Sequence, residues 1–216
     1  MKEEIQDYIR GCDTCQWNKS DTLSPAGLLQ PLPILDHIWE DISMDFINGL
    51  PTSNGFSVIL VVVDQLSKYG HFITLKHPYS AKTVDEVFVK EVAHLHGMPR
   101  SIVSDRDPVF TSQFWAEYFQ LQGSKLRMSS VYHLQTDGKT EVLNHCLETY
   151  LHCFVGTKQK QQFKWLPWAE YWYNTSYHAA THMTPFEVVY GRTPATVHSY
   201  EHGFTTVAQV EQSMKE

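Results

Sequence analysis

The chain predicts an α/β fold, a mixed five-stranded sheet flanked by helices. Three observations carry that expectation. Short runs rich in β-branched residues alternate with stretches of helical apolar spacing, and Gly, Pro and Asn punctuate the joints. Of its 216 residues, 42% are hydrophobic and 19% charged, which suits a packed core better than a disordered chain. This length accommodates one sizeable domain with a short appendage.

Residues 1–20 read as a short helix entering the turn Cys12-x-x-Cys15, and 21–33 as a linker carrying Pro25, Pro31 and Pro33. The core domain is expected over 34–195. Its first strand is Ile42–Ile47, where Ile42, Met44 and Phe46 alternate with Ser43 and Asp45. Val58–Val63 is a continuous apolar run typical of a strand buried on both faces. The turn Ser53-Asn54-Gly55 joins these two as a hairpin, and Gly70–Leu75 is the third strand. Ser80–His96 reads as a helix with Thr83-x-x-Glu86 as a capping box and Val84, Val87, Phe88, Val92 and Leu95 on one side. Gly97 and Pro99 end it. A strand at Ser101–Ser104, a helix from about Thr111 to Gln122 and a fifth strand at Lys125–Met128 follow.

Ser129–Gly138 is a polar loop long enough to move. The helix beginning near Lys139 puts Leu143, Leu147, Tyr150, Leu151 and Phe154 on its core face, with Glu141, Asn144, His145 and Glu148 opposite. Cys146 and Cys153 fall on its apolar stripe. An aromatic helix over Phe163–His178 and a short one at Pro185–Tyr190 complete the domain. The aromatics Trp165, Trp168, Tyr171, Trp172 and Tyr173 have the spacing of core packing or a protein interface rather than of base stacking.

Three carboxylates stand out. Asp45 lies within the first strand, Asp105 ends the fourth, and Glu141 occupies the first turn of a helix after Thr136-Asp137-Gly138. Fifty-nine residues separate the first two and thirty-five the last two. Two strand positions and a helix start can converge and hold a pair of hard cations. Magnesium prefers oxygen ligands, and two such ions clamp the attacking and leaving oxygens of a phosphodiester. Asp64 is the rival first ligand, since it too ends a buried strand. Asp107 precedes Pro108 and reads as a turn residue. Taken alone, Glu141 would suit the helix dipole; its spacing from Asp105 adds the functional reading.

The net charge of −7 sits awkwardly with a phosphate-binding surface, which needs Lys and Arg. Carboxylates that hold metal would be neutralised in place, and basic surface can lie in other parts of a longer polypeptide. Val58–Val63 is too short to cross a bilayer, which takes about twenty apolar residues, and the N-terminus resembles no secretory signal. Cys12 and Cys15 are half a zinc site. The pair His178 and His182 has ligand spacing, yet nothing ties it to the cysteines.

These motifs resemble the integrases of LTR retrotransposons, the gypsy-type branch in particular. The resemblance covers nearly the whole chain. It rests on Cys12-x-x-Cys15-Gln16, the segments 27–33 (GLLQPLP) and 39–46 (WEDISMDF), Val63-Asp64-x-x-Ser67-Lys68, Ser104-Asp105-Arg106-Asp107, and 135–141 (QTDGKTE). Tyr173-Asn174 and Pro185-Phe186-Glu187-x-x-Tyr190-Gly191 close it. The resemblance implies an RNase H-like fold and an enzyme that trims the 3′ ends of element cDNA and joins them to target DNA. It makes Asp45, Asp105 and Glu141 the catalytic metal ligands for two Mg²⁺ or Mn²⁺ ions. Tyr132, His133, Gln135, Lys139, Asn144 and His145 become candidates for touching DNA.

Residues 1–20 then correspond to the remnant of an HHCC-type zinc module whose histidine pair is absent, so zinc is not expected here, and 196–216 to the start of a truncated C-terminal region. The sequence departs from the family at Leu134, where Pro is common, at Lys139, where Gln is usual, and at His145, where Arg is frequent. The resemblance further implies element cDNA ends and target DNA as partners, a homo-oligomer, and a nuclear location. Same-fold alternatives are a cut-and-paste transposase and a ribonuclease H. The rival from another class is a degenerate integrase fold that binds nucleic acid or protein without catalysis.

Overall fold

The computed structural model describes residues 2–12, 35–128, 143–151 and 163–195. Helix α1 (Lys2–Gly11) precedes strands β1 (Asp41–Ile47), β2 (Val58–Asp64) and β3 (Gly70–Leu75). Helix α2 runs over Ala81–Phe88, passes through a π-helical turn at Val89–Ala93 and finishes at His94–His96. Then come β4 (Ser101–Ser104), α3 (Gln113–Leu121) and β5 (Lys125–Met128). Residues 143–151 form α4; α5 (Leu166–Thr175) and α6 (Pro185–Tyr190) follow.

The five strands form one sheet in the order β3-β2-β1-β4-β5. β1 pairs antiparallel with β2 and β2 antiparallel with β3, whereas β4 runs parallel to β1 and β5 parallel to β4. The expected mixed sheet is therefore present, hairpin included. β2 is buried along its whole length, and its side chains divide by parity as a pleated strand requires. Leu60 and Val62 enter a core with Val84, Phe88, Trp115 and Phe119 of α2 and α3. Ile59, Val61 and Val63 enter a second core with Leu143, Leu147, Leu151, Leu166 and Ala169 of α4 and α5. Helices thus cover both faces of the sheet.

The same parity positions the carboxylate of β1. Ile42, Met44 and Phe46 join the first core while Ile47 joins the second. Asp45, two residues before Ile47, shares that second face and looks toward α4.

Local details differ from the sequence reading at three places. α2 is capped by Ser80, whose hydroxyl accepts from Thr83 N at 3.3 Å, while Glu86 pairs with Lys82. The capping box belongs instead to α6, where Thr184 and Glu187 satisfy each other's backbone N–H groups. The aromatic helix is shorter than expected, because His178 leaves it and bridges to Met183.

α5 also closes the outer edge of the sheet. Asn174 Oδ1 accepts from Gly70 N and its Nδ2 donates to Gly70 O, both at 2.8 Å. Glu170 Oε2 accepts from Phe72 N at 2.8 Å. An edge strand with open N–H and C=O groups invites pairing with another chain; here an amide and a carboxylate occupy them. A Cβ on Gly70 would stand 3.2 Å from Tyr173 Cε1, so glycine permits this close approach.

Candidate metal and nucleic-acid site

Parallel register aligns Met44 of β1 with Ser104 of β4. The next residue in each case is an aspartate, Asp45 within β1 and Asp105 just past the end of β4, so the register carries the two alongside each other at the sheet's centre. Both are half-buried. Asp45 Oδ1 accepts from Phe46 N at 2.8 Å, and its Oδ2 accepts from Asn144 Nδ2 at 2.7 Å. Asp105 Oδ1 accepts from Asp107 N at 3.1 Å, and Asp107 Oδ1 from Val109 N at 2.8 Å. Asp107 is thus the turn residue its Pro neighbour suggested, fixing the chain as it leaves Asp105.

Asn144 reaches Asp45 because Leu143, Leu147 and Leu151 are buried in the second core. Their spacing fixes the rotation of α4 about its axis and turns Asn144 toward β1. The expectation put Asn144 on the face away from the core; it is half-buried instead and binds a site carboxylate. Its Oδ1 is buried and has no hydrogen-bond partner among the described residues. A buried amide oxygen without a partner is costly, and here it lies on the same side chain that holds Asp45. His145 is exposed on this helix.

Asp64 has a different task. It is fully buried and accepts from Trp39 N at 2.8 Å, Ser67 N at 2.7 Å and Ser67 Oγ at 2.5 Å. Its strand partner is Ile42, whereas Asp45 pairs with Val61. Three residues of strand, about 10 Å, separate the two positions, so Asp64 organises the β2–β3 turn and the adjoining entry to β1.

Sequence reasoning passed over Tyr79. It follows β3, is half-buried, and lays its ring 5.1 Å from that of Phe46. Its hydroxyl donates to Asn48 Oδ1 at 3.4 Å. Burial first, then the charges of Asp107 and Asp105, push its pKa above the ordinary tyrosine value. No spacing rule marks such a residue, because chain reversal after β3 brings it there.

Glu141, Tyr132, His133, Gln135, Lys139 and Cys15 lie outside the described residues, so the expected trio is represented by its two aspartates. Among the described residues no group of three or more His, Cys, Asp or Glu side chains is placed to hold a metal ion. The ligand atoms offered there are the carboxylate oxygens of Asp45 and Asp105, the chemistry a hard divalent cation takes. His178 and His182 have other contacts: His178 pairs through its backbone with Met183, and His182 Nδ1 lies 3.3 Å from Tyr177 Oη. No described helix is long and apolar enough to cross a membrane.

Comparison with known proteins bears on the family and the fold. Residues 39–134 match the family model described as integrase core domain. The chain is 37% identical over 195 residues to the Tf2-3 and Tf2-4 transposon polyproteins of Schizosaccharomyces pombe. That match covers 90% of this chain and 15% of the length of each relative. A chain of the simian T-cell lymphotropic virus intasome, solved in complex with the PP2A regulatory subunit B56 gamma, superposes with TM-score 0.62 at 17% identity, covering 96% of this chain and 73% of that one. The HTLV-2 integrase catalytic core, solved with magnesium in a trimeric form, gives 0.56 at 16% identity, over 69% of this chain and 95% of that one. The fold is the RNase H-like fold of retroviral integrase catalytic cores.

Proposed function

We propose that this chain, whose residues 39–134 are an integrase core domain of the retrotransposon kind, is a polynucleotidyl transferase that trims the 3′ ends of element cDNA and joins them to target DNA. The observation that carries the reading is the register placing Asp45 beside Asp105, with Asn144 of α4 bonded to the first. Asp45, Asp105 and Glu141 would hold two Mg²⁺ or Mn²⁺ ions. Bound there, the ions supply Lewis-acid polarisation of the phosphate and lower the pKa of the attacking water or 3′-hydroxyl.

The protein's own groups serve geometry. Asn144 Nδ2 fixes the rotation of the Asp45 carboxylate, as outer-shell partners of metal ligands do. Its Oδ1 is left to accept a hydrogen bond from a water or hydroxyl entering the site. Tyr132, His133, Gln135, Lys139 and His145 are assigned to the DNA backbone near the reacting phosphate.

The partners are element cDNA ends, target DNA and further copies of the chain, and the place of action is the nucleus. Trp168 and Trp172 of α5 are 50% and 40% exposed, and Trp172 stacks on Tyr150 of α4 at 4.8 Å. That aromatic face supports self-association, since large exposed apolar surface marks an interface. A non-catalytic, nucleic-acid- or protein-binding descendant of the same fold is the second reading, favoured by the net charge of −7.

The deciding experiment is a strand-transfer assay with labelled long-terminal-repeat ends in Mg²⁺ or Mn²⁺, on this chain and on longer polypeptides that contain it. Asp45→Asn, Asp105→Asn and Glu141→Gln should each lower the rate by about 1,000-fold, the loss of several kcal/mol of charge stabilisation, with folding retained. Robust joining by a folded Asp105→Asn protein would sink the proposal.

A further inference from the structure

Phe88, Val92 and His96 recur at every fourth position toward the end of α2. Phe88 and Val92 are buried in the first core, and His96 ends the row half-buried. The π-helical turn at Val89–Ala93 lies just before it; such turns are frequent at functional sites. The His96 ring lies flat on Trp39, with centroids 3.8 Å apart and planes 7° from parallel. That stacking fixes the plane of its nitrogens, and its Nε2 stands 3.0 Å from His71 Nε2 on β3.

His71 is held from its other side. Glu170 Oε1 lies 3.2 Å from His71 Nδ1, while Glu170 Oε2 is anchored by Phe72 N at 2.8 Å. A carboxylate at Nδ1 keeps the proton there and leaves the lone pair on Nε2. Carboxylate–imidazole pairs of this kind orient metal-bound histidines. Burial lowers the His96 pKa, which favours the neutral ring, the form that ligates. Zinc–nitrogen bonds are about 2.0–2.1 Å long, so two nitrogens 3.0 Å apart subtend about 95° at a shared ion, and a further 0.3 Å or so gives the tetrahedral angle. The side chains of His71 and Glu170 are 12% and 27% exposed, which puts the pair at the rim of the fold, where water completes a metal's shell.

We infer that His71 and His96 bind a zinc-type divalent cation through their Nε2 atoms, with Glu170 orienting His71 and water filling the remaining positions. The site is separate from the paired aspartates. His71 pairs with Val62, which enters the first core, whereas Asp45 pairs with Val61, which enters the second, so the two lie on opposite faces of the sheet. Imidazole suits zinc and its neighbours, and carboxylate suits magnesium, so the two places take different ions. The cation would tie the end of α2 to β3 and, through Glu170, to α5. In the metal-free chain the rings share one N–H···N bond instead, with the proton on His96 Nε2. Zinc binding here is independent of the transferase reading.

The test is a calorimetric and thermal titration of the 216-residue chain, stripped with EDTA, with Zn²⁺ in excess Mg²⁺ that occupies the carboxylates. A Cys12→Ser, Cys15→Ser background removes competing thiols. One Zn²⁺ per chain should bind saturably and raise the Tm, and EDTA should reverse the rise. Glu170→Gln should weaken binding about tenfold, as loss of an outer-shell partner does. His71→Gln and His96→Gln should each abolish the Tm rise. Should neither histidine variant fold, ¹⁵N imidazole spectra of the parent decide: zinc should shift the Nε2 signals of two histidines, one of them the ring that Glu170→Gln perturbs. Zinc that binds both histidine variants as well as the parent, or a parent whose Tm and imidazole spectrum ignore zinc, overturns the inference.

Discussion

Asp64 and Asp45 sit on neighbouring strands and look alike in sequence, each an acid at the end of or within a buried apolar run. Their hydrogen bonds separate them. Asp64 collects two backbone N–H groups and a hydroxyl in full burial, whereas Asp45 is half-buried and held by an amide from another element. Asp64→Ala should therefore act on stability, leaving Trp39 N and Ser67 N without their acceptor at a cost of about 3 kcal/mol; urea denaturation measures it, and activity per folded molecule should be retained. Asn144→Ala should do the reverse, lowering affinity for Mg²⁺ or Mn²⁺ about 10–100-fold with a small effect on the melting temperature. Calorimetric titration with Mn²⁺ decides, and unchanged affinity would return Asn144 to a purely structural role. Motif context singled out Asp45 and Asp105, since strand ends can be read from apolar runs, and the parallel register of β1 and β4 brings those strand positions alongside each other. Asn144 was named only as a candidate for touching DNA, and its bond to Asp45 was not legible, since that depends on how α4 rolls; Tyr79 was not legible at all, since its position depends on where the chain turns after β3.

Element boundaries followed the same division. β2, β3, β4 and β5 fall almost where short strand-like runs and turn residues put them, because such runs bounded by turns leave a direct trace in sequence. The π-turn at Val89–Ala93 left none, and it lies just before His96. There Trp39, with φ of 64°, stacks on the His96 ring at 3.8 Å, and His96 Nε2 lies 3.0 Å from His71 Nε2, whose ring Nδ1 meets Glu170 at 3.2 Å. This cluster fastens the end of α2 to β3 and α5. Burial, then His71 and then His94, lower the His96 pKa to about 4. A histidine with a depressed folded-state pKa binds fewer protons folded than unfolded between that value and the ordinary 6.5 or so. Its stability contribution is full above about 6.5 and is lost as pH falls toward 4. The melting temperature should accordingly drop across that window, and His96→Gln should flatten the drop relative to the parent, other titrating groups being common to both. An identical pH profile in His96→Gln would show that the pair carries no linkage.

At the scale of the whole molecule, charge and function pull against each other. A net charge of −7 over 216 residues would face, in the proposed function, a substrate that carries a phosphate at every nucleotide, and the cations of the proposed site would offset only the local carboxylates. Helix α4 illustrates the shortage: at its exposed position 145 stands a histidine, not a lysine or arginine. DNA affinity depends on the counterions released as phosphates are neutralised, with a slope in log salt of about −0.9 per phosphate for duplex DNA. Few neutralised phosphates mean weak binding at physiological salt and a shallow slope. Fluorescence anisotropy with a long-terminal-repeat duplex across a salt series should show both for this chain, and a steeper slope for a longer polypeptide with a basic module attached. His145→Arg should strengthen binding modestly at low salt and steepen the slope by no more than about one phosphate's worth, as a single added cation on an exposed helix face would. A steep slope and tight binding by the chain itself would mean that its cations are gathered into a stripe facing the DNA, and net charge would then be the wrong quantity to reason from.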